Sequence, residues 1–145
     1  MVVYEKGPSV KETWEKLLPL SGWTLVVEDD PMLRILMVTI LAEIGIRSVD
    51  FDSADDALTY LLGTPNGCPL LVVDHGLPGQ LSGAEFIEMV KSKWPSTAAV
   101  LTSGYELAHS TIPSSTTYLH KPWSMDELVT AVASLLQPGD PISKI

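Results

Sequence analysis

The chain has 145 residues, of which 46% are hydrophobic and 19% charged, and its net charge is −9. This length suits one domain with a substantial core, and the negative charge argues against nucleic acid as a direct partner, because phosphate binding needs clusters of Lys and Arg. The sequence has no apolar run of the ~18–20 residues that cross a membrane and no signal-peptide pattern at its N-terminus. Because the single cysteine, Cys68, cannot form an internal disulfide, the composition favours a cytoplasmic protein that does not bind membranes.

Residues 1–22 are predicted to be an N-terminal extension. Ser9 and Glu12 have the spacing of a helix capping box, and a stripe of apolar residues recurs with helical period at Val10, Trp14, Leu17 and Leu18. The pattern predicts a short amphipathic helix over residues 9–18. Its apolar face needs a surface to cover, either in the same chain or in a second copy within a homodimer.

Apolar and amphipathic segments alternate through residues 23–137, which we predict to be one domain followed by a C-terminal tail at 138–145. Helices are predicted after the capping residues Asp30, Ser53, Ser82 and Ser124. Strands are predicted at 23–27, 46–51, 70–74, 98–102 and 116–120. This alternation is typical of an α/β fold with a parallel sheet covered on both faces. Residues 105–115 have weak periodicity and contain Pro113, so they are predicted to hold a short helix at most.

The stretch from Leu70 to Gly79 carries the first functional signal. Its four leading apolar residues indicate a strand buried on both faces, and this strand stops at Asp74 before a loop rich in Gly and Pro. The carboxyl ends of strands in open α/β sheets are where ligands bind. Taken alone, Asp74 is equally consistent with an ordinary turn residue.

Other predicted strands also end on functional groups. The first ends at Glu28 and Asp29, and the fifth ends at Lys121. If these ends meet at Asp74, three carboxylates share a small space, and they would have raised pKa values unless a cation neutralises them. Oxygen ligands of this kind suit Mg²⁺. The alternative is a set of separate surface turns that never meet.

These motifs resemble, in order and spacing, those of response-regulator receiver domains, the family of the chemotaxis protein CheY. The resemblance covers roughly residues 23–137. It rests on four segments of the sequence: 25–31 (LVVEDDP), 72–78 (VVDHGLP) with Ser82-Gly83, 101–105 (LTSGY) and 118–122 (YLHKP). It implies a flavodoxin-like, doubly wound sheet of five parallel strands in the order 2-1-3-4-5.

The resemblance also implies a phosphorylation switch. Asp74 would accept a phosphoryl group from a histidine kinase or a histidine phosphotransfer protein. The carboxylates of Glu28, Asp29 and Asp74, with the backbone carbonyl of Gly76, would hold Mg²⁺. Lys121 would pair with the phosphoryl oxygens, since phosphoryl transfer depends on positioned cations.

The family places a Ser or Thr at the end of the fourth strand, where it follows the phosphoryl group. Thr102 and Ser103 are both candidates, and we favour Ser103 because the small residue expected next is then Gly104. Tyr118 matches the family's switching aromatic, although it is also consistent with an aromatic residue packed at the sheet edge. The interval from Ser103 to Lys121 is about one helical turn shorter than expected, which indicates a reduced fourth helix.

We therefore expect a single-domain response regulator that signals to an unidentified downstream protein. It would not be a metabolic enzyme, because its only reactions would be its own phosphorylation and slow dephosphorylation. A phosphohydrolase with an Asp nucleophile would want a second acid two residues later, where Gly76 stands. Two alternatives stay open: the receiver domain of a hybrid histidine kinase, and a binding module on the same fold that works without phosphorylation.

Overall fold

Strands and helices alternate along the domain except between the fourth and fifth strands, which no helix separates. The computed structural model describes residues 14–17, 20, 22–140 and 142–144. The elements are β1 (Thr24–Val27), α1 (Pro31–Glu43), β2 (Ser48–Phe51), α2 (Ala54–Leu62), β3 (Leu70–Asp74), α3 (Gly83–Lys93), β4 (Ala98–Ser103), β5 (Thr116–His120) and α4 (Met125–Leu136).

The five strands form one sheet in the order β2-β1-β3-β4-β5, and every pair is parallel. This confirms the predicted strand order. Strand β3 lies in the centre, and all five of its residues are buried. One core cluster lies between the sheet and helices α1 and α4, and a second lies between the sheet and helices α2 and α3. The apolar run of β3 is explained by this cover on both faces.

Local capping starts each helix shortly after the strand before it. The side chain of Asp30 accepts hydrogen bonds from the backbone N–H groups of Met32 and Leu33, with Pro31 in the first helical position. Helices α3 and α4 begin with complete capping boxes. The caps therefore fix the residue at which each loop ends and its helix begins.

The segment between β4 and β5, residues 104–115, contains turns and no helix. Its Leu107 and Ile112 pack, partly buried, against the core cluster beneath α2 and α3. The ammonium of Lys91 in α3 donates to the backbone carbonyl of Ser115 at 3.0 Å. The fourth helix, which the sequence predicts to be reduced, is therefore absent from this segment. Side-chain packing, not a helix, holds the segment against the domain.

The helix predicted over residues 9–18 is wrong for the part that the structure describes, and residues 9–13 and Leu18 lie outside that part. Trp14 forms an isolated antiparallel bridge with Lys144. The Glu15 N–H donates to the Ser143 carbonyl at 2.9 Å, and the Ser143 N–H donates to the Glu15 carboxylate at 2.7 Å. Backbone groups that a helix would pair internally are thus paired with the C-terminal tail. We call residues 14–17 and 142–144 together the terminal strap.

The terminal strap is packed on its own domain. Trp14 and Leu17 are each only 7% exposed and join the core cluster of α1 and α4. The Leu17 N–H donates to the Ile44 carbonyl at the end of α1. The Lys144 ammonium lies 3.0 Å from the Asp126 carboxylate in α4. Of the apolar stripe seen in the sequence, Trp14 and Leu17 therefore pack within the chain, whereas Val10 and Leu18 lie outside the described residues.

Among the residues with described structure, no helix combines the length and the apolar character needed to cross a bilayer.

The burial of Trp14 predicts that the strap stabilises the domain. The substitution Trp14→Ala should lower the free energy of unfolding by about 3 kcal/mol, at the low end of the cost of truncating a buried Trp. Trp23 is 37% exposed, so Trp23→Ala serves as the matched control and should cost less. Urea unfolding followed by circular dichroism measures both. Equal losses in the two variants would show that the strap adds no packing energy.

Candidate functional site

The acidic residues predicted at different strand ends meet at the carboxyl edge of the sheet. Glu28 and Asp29 follow β1, and Asp74 is the last residue of β3. Each contributes a carboxylate oxygen to a group whose members lie within 4.8 Å of one another. Glu28 and Asp74 are buried, whereas Asp29 is exposed. The alternative of separate surface turns is therefore wrong.

Lys121 places its ammonium between two of these carboxylates. Its Nζ lies 3.0 Å from Glu28 Oε1 and 3.0 Å from Asp74 Oδ1. The backbone N–H of Lys121 donates to the Ser103 carbonyl at 2.8 Å, which fixes the residue at the end of β5. One side chain thus connects the ends of β1, β3 and β5.

The charges of the site perturb one another. Burial raises the pKa of Glu28, and the nearby charge of Asp74 adds to the rise, although hydrogen bonds from the Asp30 N–H and from Lys121 oppose it. Partial burial alone would lower the pKa of Lys121, but the hydrogen bonds and charges of Glu28 and Asp74 outweigh burial, so that pKa is raised. Lys121 is therefore a permanent cation at neutral pH.

The oxygen atoms of the site fit a small hard cation. Both oxygens of Glu28 already accept hydrogen bonds, one from Lys121 and one from the Asp30 N–H. Asp74 uses Oδ1 for Lys121, whereas its Oδ2 and the exposed carboxylate of Asp29 accept no hydrogen bond from the described residues. A Cβ atom on Gly76 would lie 3.8 Å from Asp74 Oδ2, so the loop backbone runs beside the same oxygen. Carboxylate and carbonyl oxygens of this kind suit Mg²⁺.

The two hydroxyls at the end of β4 lie on opposite faces of the sheet. Thr102 pairs with Asp74 in the β-sheet register, and its Oγ1 is 3.5 Å from Asp74 Oδ1, at the limit of a hydrogen bond. The Ser103 Oγ instead donates to the Tyr105 carbonyl at 2.7 Å. Both residues are buried. The structure thus puts Thr102 nearer to Asp74, and the assignment of Ser103 as the hydroxyl that follows the phosphoryl group stays a prediction.

Tyr118 is linked to Ser103 through a third residue that the sequence did not indicate. The Tyr118 hydroxyl donates to the Tyr105 carbonyl at 2.9 Å, and this is the same carbonyl that accepts from Ser103. The Tyr118 ring packs, partly buried, against the core cluster beneath α2 and α3. Tyr105 acts through its backbone, so no side-chain pattern could have identified it.

Arg34 in α1 is a second supporting residue that sequence reasoning missed. Its Nη1 donates to the Glu28 carbonyl at 2.8 Å, and its Nε lies 2.9 Å from the Asp50 carboxylate. The guanidinium therefore fixes the backbone of the acidic turn against the end of β2. Its position in the first turn of an amphipathic helix resembles that of any solvated surface Arg, and only the fold reveals its contacts.

Gly83 permits the close approach of helix α3 to Asp74. A Cβ atom on Gly83 would clash with the backbone carbonyl oxygen of Asp74, so only glycine fits at this position. The Gly83 N–H donates to the His75 carbonyl at 3.1 Å. The Ser82-Gly83 pair quoted from the sequence therefore starts the helix and also fixes the backbone behind the acidic cluster.

Comparison with known proteins agrees with this geometry. The sequence model of the response regulator receiver domain matches residues 24–133. The hydrogenase transcriptional regulatory protein HoxA of Cupriavidus necator is 30% identical over an alignment of 118 residues, which covers 78% of this chain and 24% of HoxA. The chain thus spans about a quarter of the length of that curated relative.

Solved structures show the same fold. The response regulator receiver protein from Sinorhizobium medicae superposes with a TM-score of 0.74 at 21% identity, covering 81% of this chain and 95% of that one. The receiver domain of NtrX from Brucella abortus superposes with a TM-score of 0.69 at 26% identity. The match covers 80% of this chain and 99% of the NtrX domain. The receiver domain of the hybrid histidine kinase CckA superposes with a TM-score of 0.68 at 24% identity. The match covers 80% of this chain and 100% of the CckA domain.

The matched residues include the whole acidic cluster and Lys121, and members of this family bind Mg²⁺ at such a pocket. The chain therefore belongs to the family of response regulator receiver domains of two-component signalling systems.

Proposed function

We propose that this chain is a cytoplasmic phosphoacceptor switch. Asp74 takes a phosphoryl group from the phosphohistidine of a histidine kinase or a histidine phosphotransfer protein, and the domain then signals through contacts with a downstream protein. The observation that carries the proposal is the position of Lys121, whose ammonium lies 3.0 Å from Asp74 Oδ1. A cation is thus already held beside the oxygen atoms that would receive the phosphoryl group.

The transfer needs few protein groups. An oxygen of the Asp74 carboxylate attacks the phosphorus in line, the P–N bond to the donor histidine breaks, and the histidine nitrogen keeps the electron pair. Later attack by water on the phosphorus releases inorganic phosphate and restores the carboxylate. When bound by Asp29, Asp74, Glu28 and the Gly76 carbonyl, Mg²⁺ supplies positive charge for the phosphoryl oxygens. In this proposal the protein is not a metabolic enzyme, because both reactions take place on its own Asp74 side chain.

The wider context of the domain belongs to the same proposal. We favour the possibility that the protein acts as a single-domain response regulator. The relative HoxA is about four times as long as the matched region and is named a transcriptional regulator, which favours a second possibility, a receiver within a longer protein. Both possibilities use the same site on Asp74, and the experiments below apply to each.

Phosphoacceptor identity is tested by labelling. With Mg²⁺ and a small phosphodonor, the wild type should gain one phosphoryl group, and Asp74→Asn should gain none because its amide is not a nucleophile. Asp56→Asn removes an exposed carboxylate of α2 and should be labelled like the wild type. Intact-protein mass spectrometry measures the product. Equal labelling of Asp74→Asn and wild type would refute the assignment.

The shared Tyr105 carbonyl predicts how Ser103 and Tyr118 are coupled. Ser103→Ala should still bind beryllofluoride, a phosphoryl mimic, but it should lose most of the change in the NMR signals of the Tyr118 ring. The reason is that Ser103 must release the carbonyl to reach the mimic, which changes the bonding of Tyr118. Thr102→Val is the matched control and should keep the change. The reverse pattern would assign the switch to Thr102.

The ion pairs of Lys121 predict a pH-dependent loss of stability in Lys121→Met. In Mg²⁺-free buffer near neutral pH, the variant should lose about 2 kcal/mol, because Glu28 stays buried without its cation; this is less than for a fully buried pair, since a quarter of the Lys121 side chain is exposed. The pKa of Glu28 is raised above its unfolded value of 4.5, so protonation relieves the penalty and the loss should shrink as the pH falls toward that value.

Urea unfolding near pH 7 and near pH 5 measures this effect. The exposed Lys93 in α3 provides the control, and Lys93→Met should change stability by no more than about 0.5 kcal/mol at either pH. A deficit of Lys121→Met that is the same at both pH values would contradict the assigned pairing.

A further inference from the structure

The loop that follows Asp74, residues 75–82, has little packing of its own. Gly76, Pro78, Gly79 and Gln80 are exposed. Only Leu77 and Leu81 pack against the core cluster of α2 and α3, and both are partly exposed. The His75 N–H donates to the Thr102 carbonyl at 2.8 Å and the Leu77 N–H donates to the His75 carbonyl at 3.0 Å, so the start of the loop is fixed by backbone hydrogen bonds. Residues 78–81 are the part of the loop that needs another anchor.

Asp55, in the first turn of α2, provides an anchor from a different element. Its carboxylate accepts from the Gln80 N–H at 3.2 Å (Oδ1) and 3.3 Å (Oδ2), and from the Leu81 N–H at 3.4 Å (Oδ1). Each contact is long for a hydrogen bond, but three of them, from two N–H groups, converge on one carboxylate. They cross 25 and 26 residues of sequence and connect helix α2 to the far end of the loop.

Gly79 shows how closely the loop approaches this carboxylate. Its φ is +97°, in the region that favours glycine, and a Cβ atom would lie 2.6 Å from Asp55 Oδ1. The loop backbone therefore lies directly on the Asp55 side chain. The contact exists only because the residue at this position has no side chain.

We propose that Asp55 is a positioning residue for the cation site. By holding residues 79–81, it limits the motion of the loop whose backbone passes Asp74 Oδ2 at Gly76. This inference rests on the proposed Mg²⁺ site. Loss of the Asp55 carboxylate should therefore weaken Mg²⁺ binding, although Asp55 itself does not touch the ion.

A different explanation for Asp55 is that it only adds negative charge at the start of α2, where the helix dipole favours it. Asp56 occupies the same first turn and allows the two explanations to be separated. Its side chain is exposed, and among the described residues the hydrogen bonds that join α2 to the loop all end on Asp55. Asp56→Ala changes the net charge and the helix terminus in the same way as Asp55→Ala, but it leaves the loop anchor intact.

Isothermal titration with MgCl₂ alone tests the proposal on the full chain. Asp55→Ala should weaken Mg²⁺ affinity about tenfold, the lower end of the effect of residues that orient metal ligands. Asp56→Ala should bind like the wild type. Asp55→Asn should recover most of the affinity, because the amide oxygen still accepts from both loop N–H groups. Equal weakening in Asp55→Ala and Asp56→Ala would overturn the positioning role.

Amide hydrogen exchange in Mg²⁺-free buffer gives a readout that does not involve the metal. The N–H groups of Gln80 and Leu81 should exchange faster in Asp55→Ala than in Asp56→Ala. Unchanged exchange at these two amides would overturn the proposal even if Mg²⁺ affinity fell.

Gly79→Ala disrupts the same contact from the side of the loop. It provides a second test if Asp55→Ala does not fold. It should also weaken Mg²⁺ affinity, and wild-type affinity in this variant would refute the anchor. The double variant should bind no more weakly than the weaker single one, since both changes break one contact. If the wild type does not bind Mg²⁺, the proposed metal site itself is refuted. If the wild type binds Mg²⁺ and Asp55→Ala binds it equally well, only the anchor is refuted.

Discussion

The ammonium of Lys121 makes the acidic edge of this sheet possible. Glu28 and Asp74 are both buried, and two buried carboxylates so close together would repel each other unless protonated. Lys121 lies 3.0 Å from each, so one cation offsets the repulsion between the two carboxylates. Its place depends on the sheet, because the Lys121 N–H is bonded to the carbonyl of Ser103. The strand order therefore determines the chemistry of the site.

Strand β4 gives the site two separate connections from adjacent residues. Thr102 faces Asp74, whereas Ser103 faces the side of the sheet on which Tyr118 packs. The period of two in a β-strand thus directs one hydroxyl toward the acidic cluster and the next toward the core beneath α2 and α3. Because residues 104–115 form no helix, the Tyr105 carbonyl that joins Ser103 to Tyr118 belongs to an exposed turn. Any rearrangement of that turn would therefore occur at the surface of the domain.

The fold and the acidic cluster could be predicted because their signals are local. A capping box such as Ser82 with Glu85 spans three residues, and each functional side chain directly follows an apolar run. The strap could not be predicted, because Trp14 pairs with Lys144 far along the chain, and its apolar spacing is equally typical of a helix. The hydrogen bond from the Gln80 N–H to Asp55 could not be predicted, because the donor is a backbone group and every residue other than proline has one.

The terminal strap has a consequence for the topology of the chain. The backbones of Glu15 and Ser143 are within hydrogen-bonding distance at 2.9 Å, so the two ends of the described fold already lie side by side. Joining them through a short linker would close the chain with little added strain, and new ends could be opened at the exposed Pro65 and Asn66. Such a circular permutant would keep the order of strands around Asp74 in space while changing their order along the chain.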